Sequence, residues 1–343
     1  MLDDLKYIQQ VDKGDALGVA GKQANQLKYD FKQELSLGDN IQNVVLGGMG
    51  GSAWPALALG SWPTVSVPFE ISRDYTVPSY VNEKTLYIAS SYSGNTEETI
   101  SALQVAADKG AAVVVMAAGG NLAEIARQEN YPLFEIPSGF QPRMSSFYFL
   151  AALIQILEPS GLVKKGSLNE LYSAAEWLVS RNGNWLPSVP SEHNLAKEIA
   201  LHIEGKSVII YSGPLLYPAA NKWKICINEN AKNLAWSNQY PELCHNEFIG
   251  WSSHPIEKQF AVVELQSNLE HPRVIKRFDI TDRLLSGKRP HALKVSLEGD
   301  TLLQQILWAF SLGDYVSIYL SVLNNVDPTP VDLVEKLKEQ LLQ

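Results

Sequence analysis

Short apolar runs separated by polar and glycine-rich stretches set the rhythm of the first half of the chain. Runs at 44–46, 65–71, 85–90, 111–117 and 133–136 have the length and composition of buried strands, and the stretches 53–60, 96–109 and 121–129 have helical spacing. Such alternation predicts an α/β domain, a mainly parallel sheet flanked by helices. The apolar segment 147–157 reads as a buried helix closed by Glu158 and Pro159, and residues 16–35 as a mixed-charge helix on the outside of this domain. The second half restarts the pattern with runs at 207–211, 260–265 and 274–279 and helices near 217–232, 301–324 and 331–342. Between the halves, 159–191 holds one amphipathic helix between Gly-, Pro- and Ser-rich ends. The expected division is a first domain at 1–158, a connection at 159–190 and a second domain at 191–343.

Composition supports two folded domains. A chain of 343 residues exceeds the size at which one hydrophobic core stops growing, and 45% apolar with 19% charged residues is ordinary for a globular protein. A net charge of −9 argues against a nucleic-acid partner, which needs a broad basic surface, but leaves room for a small phosphorylated ligand. No apolar run is expected to reach the roughly 18 residues of a membrane span, so no membrane partner is expected. The N-terminal stretch lacks the basic start and apolar core of a signal peptide, which points to the cytoplasm. There, Cys226 and Cys244 are expected to be free, buried thiols.

Two glycine- and hydroxyl-rich turns carry the candidate chemistry. The stretch 47–55, GGMGGSAWP, follows an apolar strand, and such a turn aims backbone N–H groups at an anion. Gly48 to Ala53 also fits G-x-G-x-x-A, with Glu70 about twenty residues on, so a dinucleotide oxidoreductase is one reading. The second turn, in 87–103, places Ser90, Ser91, Ser93, Asn95 and Thr96 at a helix start. Clustered hydroxyls there suit the three acceptor oxygens of a phosphate monoester. A dinucleotide has no need of this second cradle; two phosphate-type turns on neighbouring strands favour one sugar phosphate. A non-catalytic sugar-phosphate sensor would keep the same cradle.

The motifs GMGGSA, SSYSGNTEET and QPRM resemble the first domain of the sugar isomerase fold. The stretches NENAKNLAWSNQYPELCHNEFIGW at 228–251 and LGDYVSIYLSVLNNVDPTPVDLVEKLK at 312–338 narrow the likeness, from about residue 40 onward, to the bifunctional phosphoglucose/phosphomannose isomerases. The chain departs from the family pattern at Ala53, where Gly is usual, and at Cys244, where Asn is usual. The resemblance implies two sugar-isomerase-type domains and interconversion of glucose 6-phosphate and fructose 6-phosphate, with mannose 6-phosphate as a further substrate. It also implies phosphate contacts at Ser52, beside Gly51, and at Ser91, Ser93 and Thr96, and a homodimer in which His245 completes the neighbouring subunit's site.

Aldose–ketose isomerisation moves a proton between adjacent carbons through an enediol. It requires a base, a ring-opening acid/base group, a cation near the enediolate and a phosphate anchor. Glu229, approached by the apolar WKICIN, is the candidate base; spacing alone favours a surface glutamate paired with Lys232, and the resemblance to the family motif reverses that preference. His245 is the ring-opening candidate, because histidine is the residue type suited to proton transfer near neutral pH, with Glu242 and Glu247 placed to set its tautomer. Arg143, before the buried helix, suits electrostatic stabilisation of the enediolate. Lys336 and Lys338 face different ways on one helix, and the family's Leu-Lys pair matches Leu337 and Lys338, so Lys338 is the candidate lysine. No spacing fits a zinc site, so neither metal nor cofactor is expected. Cys244 beside His245 is not read as a nucleophilic dyad, because neighbours in a strand point oppositely.

Overall fold

The structure, a computed structural model, describes residues 1–341 except 34, 36, 38–39 and 254–258. The chain folds into two compact units, Lys22–Val179 (the N-terminal unit) and Met1–Gly21 with Ser180–Gln343 (the C-terminal unit). The expected boundaries were 158 and 190, whereas the division falls after Gly21 and after Val179. Local bonds show why the first residues join the second half. In α1 (Leu5–Val11) and its approach, Asp3 accepts from Lys197 Nζ at 3.0 Å, and Tyr7 Oη donates to the Val322 carbonyl at 3.5 Å.

The helix expected over 16–35 is shorter. Helix α2 (Ala16–Lys22) gives way to a 3₁₀ segment, Gln23–Lys28, and residue 34 lies outside the described residues. The buried side chains of Gln23 and Gln26 both donate to the Met144 carbonyl, which anchors this segment within the N-terminal unit.

The N-terminal unit is a five-stranded parallel sheet of order β2-β1-β3-β4-β5. Strand β1 (Asn43–Gly48) leads into the one-turn helix α3 (Gly50–Ala53), and 54–60 continues as 3₁₀ rather than α-helix, with Pro55 near its start. Strand β2 (Phe69–Ser72) begins later than the apolar run at 65, because Pro68 has no N–H to donate to a ladder. Then come β3 (Thr85–Ser91), α4 (Glu97–Asp108), β4 (Ala112–Ala117), α5 (Gly120–Gln128), β5 (Leu133–Glu135), the buried α6 (Ser146–Leu157) and α7 (Ser167–Asn182), whose residues from Ser180 on belong to the C-terminal unit. Strand β3 is buried at all of its positions, as the centre of a parallel sheet requires.

The C-terminal unit is a four-stranded parallel sheet of order β7-β6-β8-β9. In chain order it contains α8 (Leu195–Ile203), β6 (Ser207–Ser212), α9 (Tyr217–Ala231), β7 (Ala235–Gln239), the short α10 (Glu247–Gly250) and β8 (Phe260–Gln266). After them come α11 (Pro272–Leu284), β9 (Leu293–Ser296), α12 (Leu302–Leu323) and α13 (Asp332–Leu341); residue 342 of the expected last helix lies outside the described residues. The run 274–279 is not a strand. It lies in α11, whose buried residues Val274, Phe278 and Thr281 recur at helical spacing, with Pro272 in the first turn.

Helix α12 starts at a capping box, Thr301 with Gln304. By length and composition it is apolar enough to cross a membrane, contrary to the expectation from sequence, and its apolar window is wholly buried in the structure.

Candidate functional site

The glycine turn after β1 and the hydroxyl turn after β3 lie side by side at the carboxyl ends of adjacent strands, where ligands of such sheets bind. Ser52 ties them together. Its carbonyl accepts from Ser90 Oγ at 2.7 Å, and its hydroxyl accepts from the Tyr92 N–H at 2.9 Å. With its lone pair so engaged, the Ser52 hydroxyl keeps its proton to donate. Gly51 is needed for close approach, since a Cβ there would fall 2.9 Å from the Arg143 nitrogen and 3.0 Å from the Pro142 carbonyl carbon. The glycine turn therefore packs directly on the 3₁₀ segment Pro142–Met144, and Gly51, Ser52 and Arg143 are brought together. Arg143 is buried, and its Nη1 donates to Gln141 Oε1 at 3.4 Å.

In the second turn, Ser91 Oγ lies 2.8 Å from Thr96 Oγ1 and 3.5 Å from Ser93 Oγ, and it accepts from the Gly94 N–H at 3.2 Å. Thr96 is the N-cap of α4 yet makes no side-chain cap bond. Its hydroxyl turns to Ser91, which leaves the first N–H groups of a 12-residue helix without the partner an N-cap threonine normally supplies. The turn is held from behind: the Leu122 N–H donates to the Gly94 carbonyl at 2.9 Å, and Gly94 at φ +68° sits where a Cβ would strike Gly119. All the expected phosphate-binding residues thus belong to one constellation, with hydroxyls and N–H groups suited to a small dianion. Glu70, which the dinucleotide reading needs on a ribose, instead accepts from Tyr80 Oη at 2.7 Å.

The C-terminal unit carries the other candidates. Glu229 is half-buried in the last turns of α9. His245 ends the 3₁₀ turn Glu242–His245, not a strand, so the strand-based reason for dismissing a Cys244–His245 pair does not apply. Cys244 is half-buried, with Sγ 4.0 Å from Thr281 Oγ1; Cys226 is fully buried, and burial pushes its thiol up to about 12. His245 is exposed. Neither flanking glutamate sets its tautomer: Glu242 accepts from Asn246 Nδ2 at 2.8 Å, while Glu247 accepts from Tyr211 Oη and from Asn238 Nδ2. These latter bonds tie the His245 segment to β6 and β7, a role for Glu247, Tyr211 and Asn238 that spacing did not reveal.

Lys338 is exposed on α13 and pairs with Glu335 Oε1 at 2.8 Å. Among the described residues no group of His, Cys, Asp or Glu could hold a metal ion.

A family profile described as bacterial phospho-glucose isomerase C-terminal SIS domain matches residues 192–341. The chain is 36% identical to a bifunctional phosphoglucose/phosphomannose isomerase of Caldicellulosiruptor bescii, over 93% of this chain and 96% of that protein. It is 34% identical to a protein of the same name from Aquifex aeolicus, over 88% of this chain and 90% of that protein. Among solved structures, a glucose-6-phosphate isomerase like protein from Thermus thermophilus shares the fold, with a TM-score of 0.67 and 19% identity over 97% of this chain and 99% of that one.

Proposed function

The chain belongs to the bifunctional phosphoglucose/phosphomannose isomerase family and is an enzyme of that class, and on this premise we propose that it interconverts glucose 6-phosphate and fructose 6-phosphate and also accepts mannose 6-phosphate. The observation that carries the reading is the hydroxyl cluster of Ser91, Ser93 and Thr96 at the start of α4, where the N-cap side chain makes no cap bond. In this reading Gly51, Ser52, Ser91, Ser93 and Thr96 anchor the phosphate. His245 opens the sugar ring, Glu229 carries the proton between carbons 1 and 2 through a cis-enediol, and Arg143 and Lys338 supply positive charge to the oxygens that become anionic. Planarity at carbon 2 of the enediol erases its configuration, so one base serves both the glucose and the mannose epimer if the carbon 2–carbon 3 bond turns.

The reading includes a cytoplasmic homodimer in which His245 serves the neighbouring subunit. An exposed His245 supports it, as do the exposed apolar side chains of Leu234 (64%), Trp236 (48%) and Ile249 (70%) on the same stretch of chain. A coupled assay on fructose 6-phosphate with excess chelator is expected to yield glucose 6-phosphate. Absence of that product from folded protein would overturn the proposal. Conversion of glucose 6-phosphate but not mannose 6-phosphate would restrict it to one epimer.

A further inference from the structure

Helix α9, which carries Glu229, meets α12 along a seam that is polar where a core seam is usually apolar. Trp223 Nε1 donates to the Ala309 carbonyl at 2.7 Å, and the indole lies where a Cβ on Gly313 would be 2.4 Å away. Lys222 Nζ donates to Asp314 Oδ1, and Cys226 Sγ lies 3.3 Å from the same oxygen. Asn230 Nδ2 donates to Ser317 Oγ at 2.8 Å, and Asn324 Nδ2 to the Ala231 carbonyl at 3.0 Å. Lys222 and Asp314 are buried, and although burial alone would pull the Lys222 ammonium down, Asp314 and Cys226 together more than offset it and hold it above its ordinary value. The pair is therefore ionic.

A buried ion pair gives little stability over well-packed apolar residues, but it does fix which residue faces which. Apolar ridges tolerate a small slide; these directed bonds do not. Lys222, Cys226 and Glu229 recur at i, i+4 and i+7, so the pair lies on the stripe of α9 that leads to Glu229.

We propose that Lys222 and Asp314, with the Asn230–Ser317 contact, are positioning residues for Glu229: they lock the register of α9 on α12 and so fix where the carboxylate stands. The proposal rests on the reading of Glu229 as the base. Replacing the pair with apolar residues of similar size, Lys222→Met with Asp314→Leu, is expected to leave the thermal midpoint unchanged or raised. It should lower kcat on fructose 6-phosphate about 10- to 100-fold, the usual consequence of misplacing a reacting group by about 1 Å, with KM within about twofold. Wild-type kcat in the folded double variant, or a KM that rises in step with the loss, would overturn the proposal. Should that variant not fold, Ser317→Ala removes one contact at nearly constant volume and is expected to lower kcat about 3- to 10-fold at unchanged KM; an unchanged kcat there overturns it equally. Glu229→Gln assayed in parallel separates the two readings, since turnover retained in that variant removes Glu229 as the base whatever the seam variants do.

Discussion

The two units repeat one device, a strand, a glycine turn and a helix start, and put it to different uses. In the N-terminal unit the starts of α3 and α4 are lined by Ser52, Ser91, Ser93 and Thr96, whose hydroxyls bond to one another or to backbone N–H groups. In the C-terminal unit the turn after β6 is occupied from within. Glu270 Oε1 accepts from the Leu215 N–H at 2.9 Å, and Gly213 is where a Cβ would fall 2.2 Å from that carboxylate oxygen. A turn already holding a carboxylate repels a second anion. On the proposed reading the open, hydroxyl-lined turns of the N-terminal unit are the phosphate anchor, and the candidate base Glu229 lies on helix α9, which follows the filled turn.

The largest effect should come from the reacting side of this division. Glu229→Gln keeps the shape and removes the base, so kcat should fall about 10²- to 10⁴-fold with sugar-phosphate binding nearly intact. Steady-state kinetics with calorimetric binding measures both. Next, Ser91→Ala with Thr96→Ala removes both hydroxyls of a bonded pair that has one proton left to donate to a dianion, a bond worth about 1.5–3 kcal/mol, and should raise KM for phosphorylated sugars at least tenfold. An unchanged KM would move the cradle elsewhere. Mixing Glu229→Gln with His245→Ala should restore part of the activity through hybrid dimers, if His245 serves the neighbouring subunit. A fully active monomer at low concentration would contradict this.

The smallest effect concerns the filled turn. Burial raises the Glu270 carboxyl from its ordinary 4.5, against the lowering effect of the backbone bonds from Leu215 and Leu216. The folded state therefore holds this proton more tightly than the unfolded state. The stabilising contribution is fully present below the unfolded value and is lost as pH rises through the raised one. Glu270→Gln should flatten that part of the thermal midpoint's pH dependence while leaving KM unchanged. A KM shift would mean the turn takes part in substrate binding.

Much of the fold was legible because apolar runs are short where strands are buried and periodic where helices pack; β1, β3, β4, β6 and β8 fall where the runs lie. Strands β7 and β9 carried no such signal, since each is an edge strand with few buried positions. The segment 274–279 misled because six residues are too few to separate a period of two from one of 3.6. The serine turn was legible as a cluster. The Lys222–Asp314 pair was not, although a lone aspartate in a 22-residue apolar helix was a signal that a buried charge has a partner. The bonds of Glu247 join it to Asn238 and to Tyr211, the latter 36 residues away, and only the fold brings the three together.

Solvent exchange tests the central claim most directly. Fructose 6-phosphate incubated in deuterium oxide with the wild-type enzyme should yield glucose 6-phosphate and mannose 6-phosphate bearing deuterium at carbon 2, because the proton passes through Glu229 and the enediol. Glu229→Gln, binding the same sugar, should give no exchange. Deuterium entering at wild-type rate in that variant, or isomerisation by the wild type with no deuterium at all through repeated turnovers, would contradict the account.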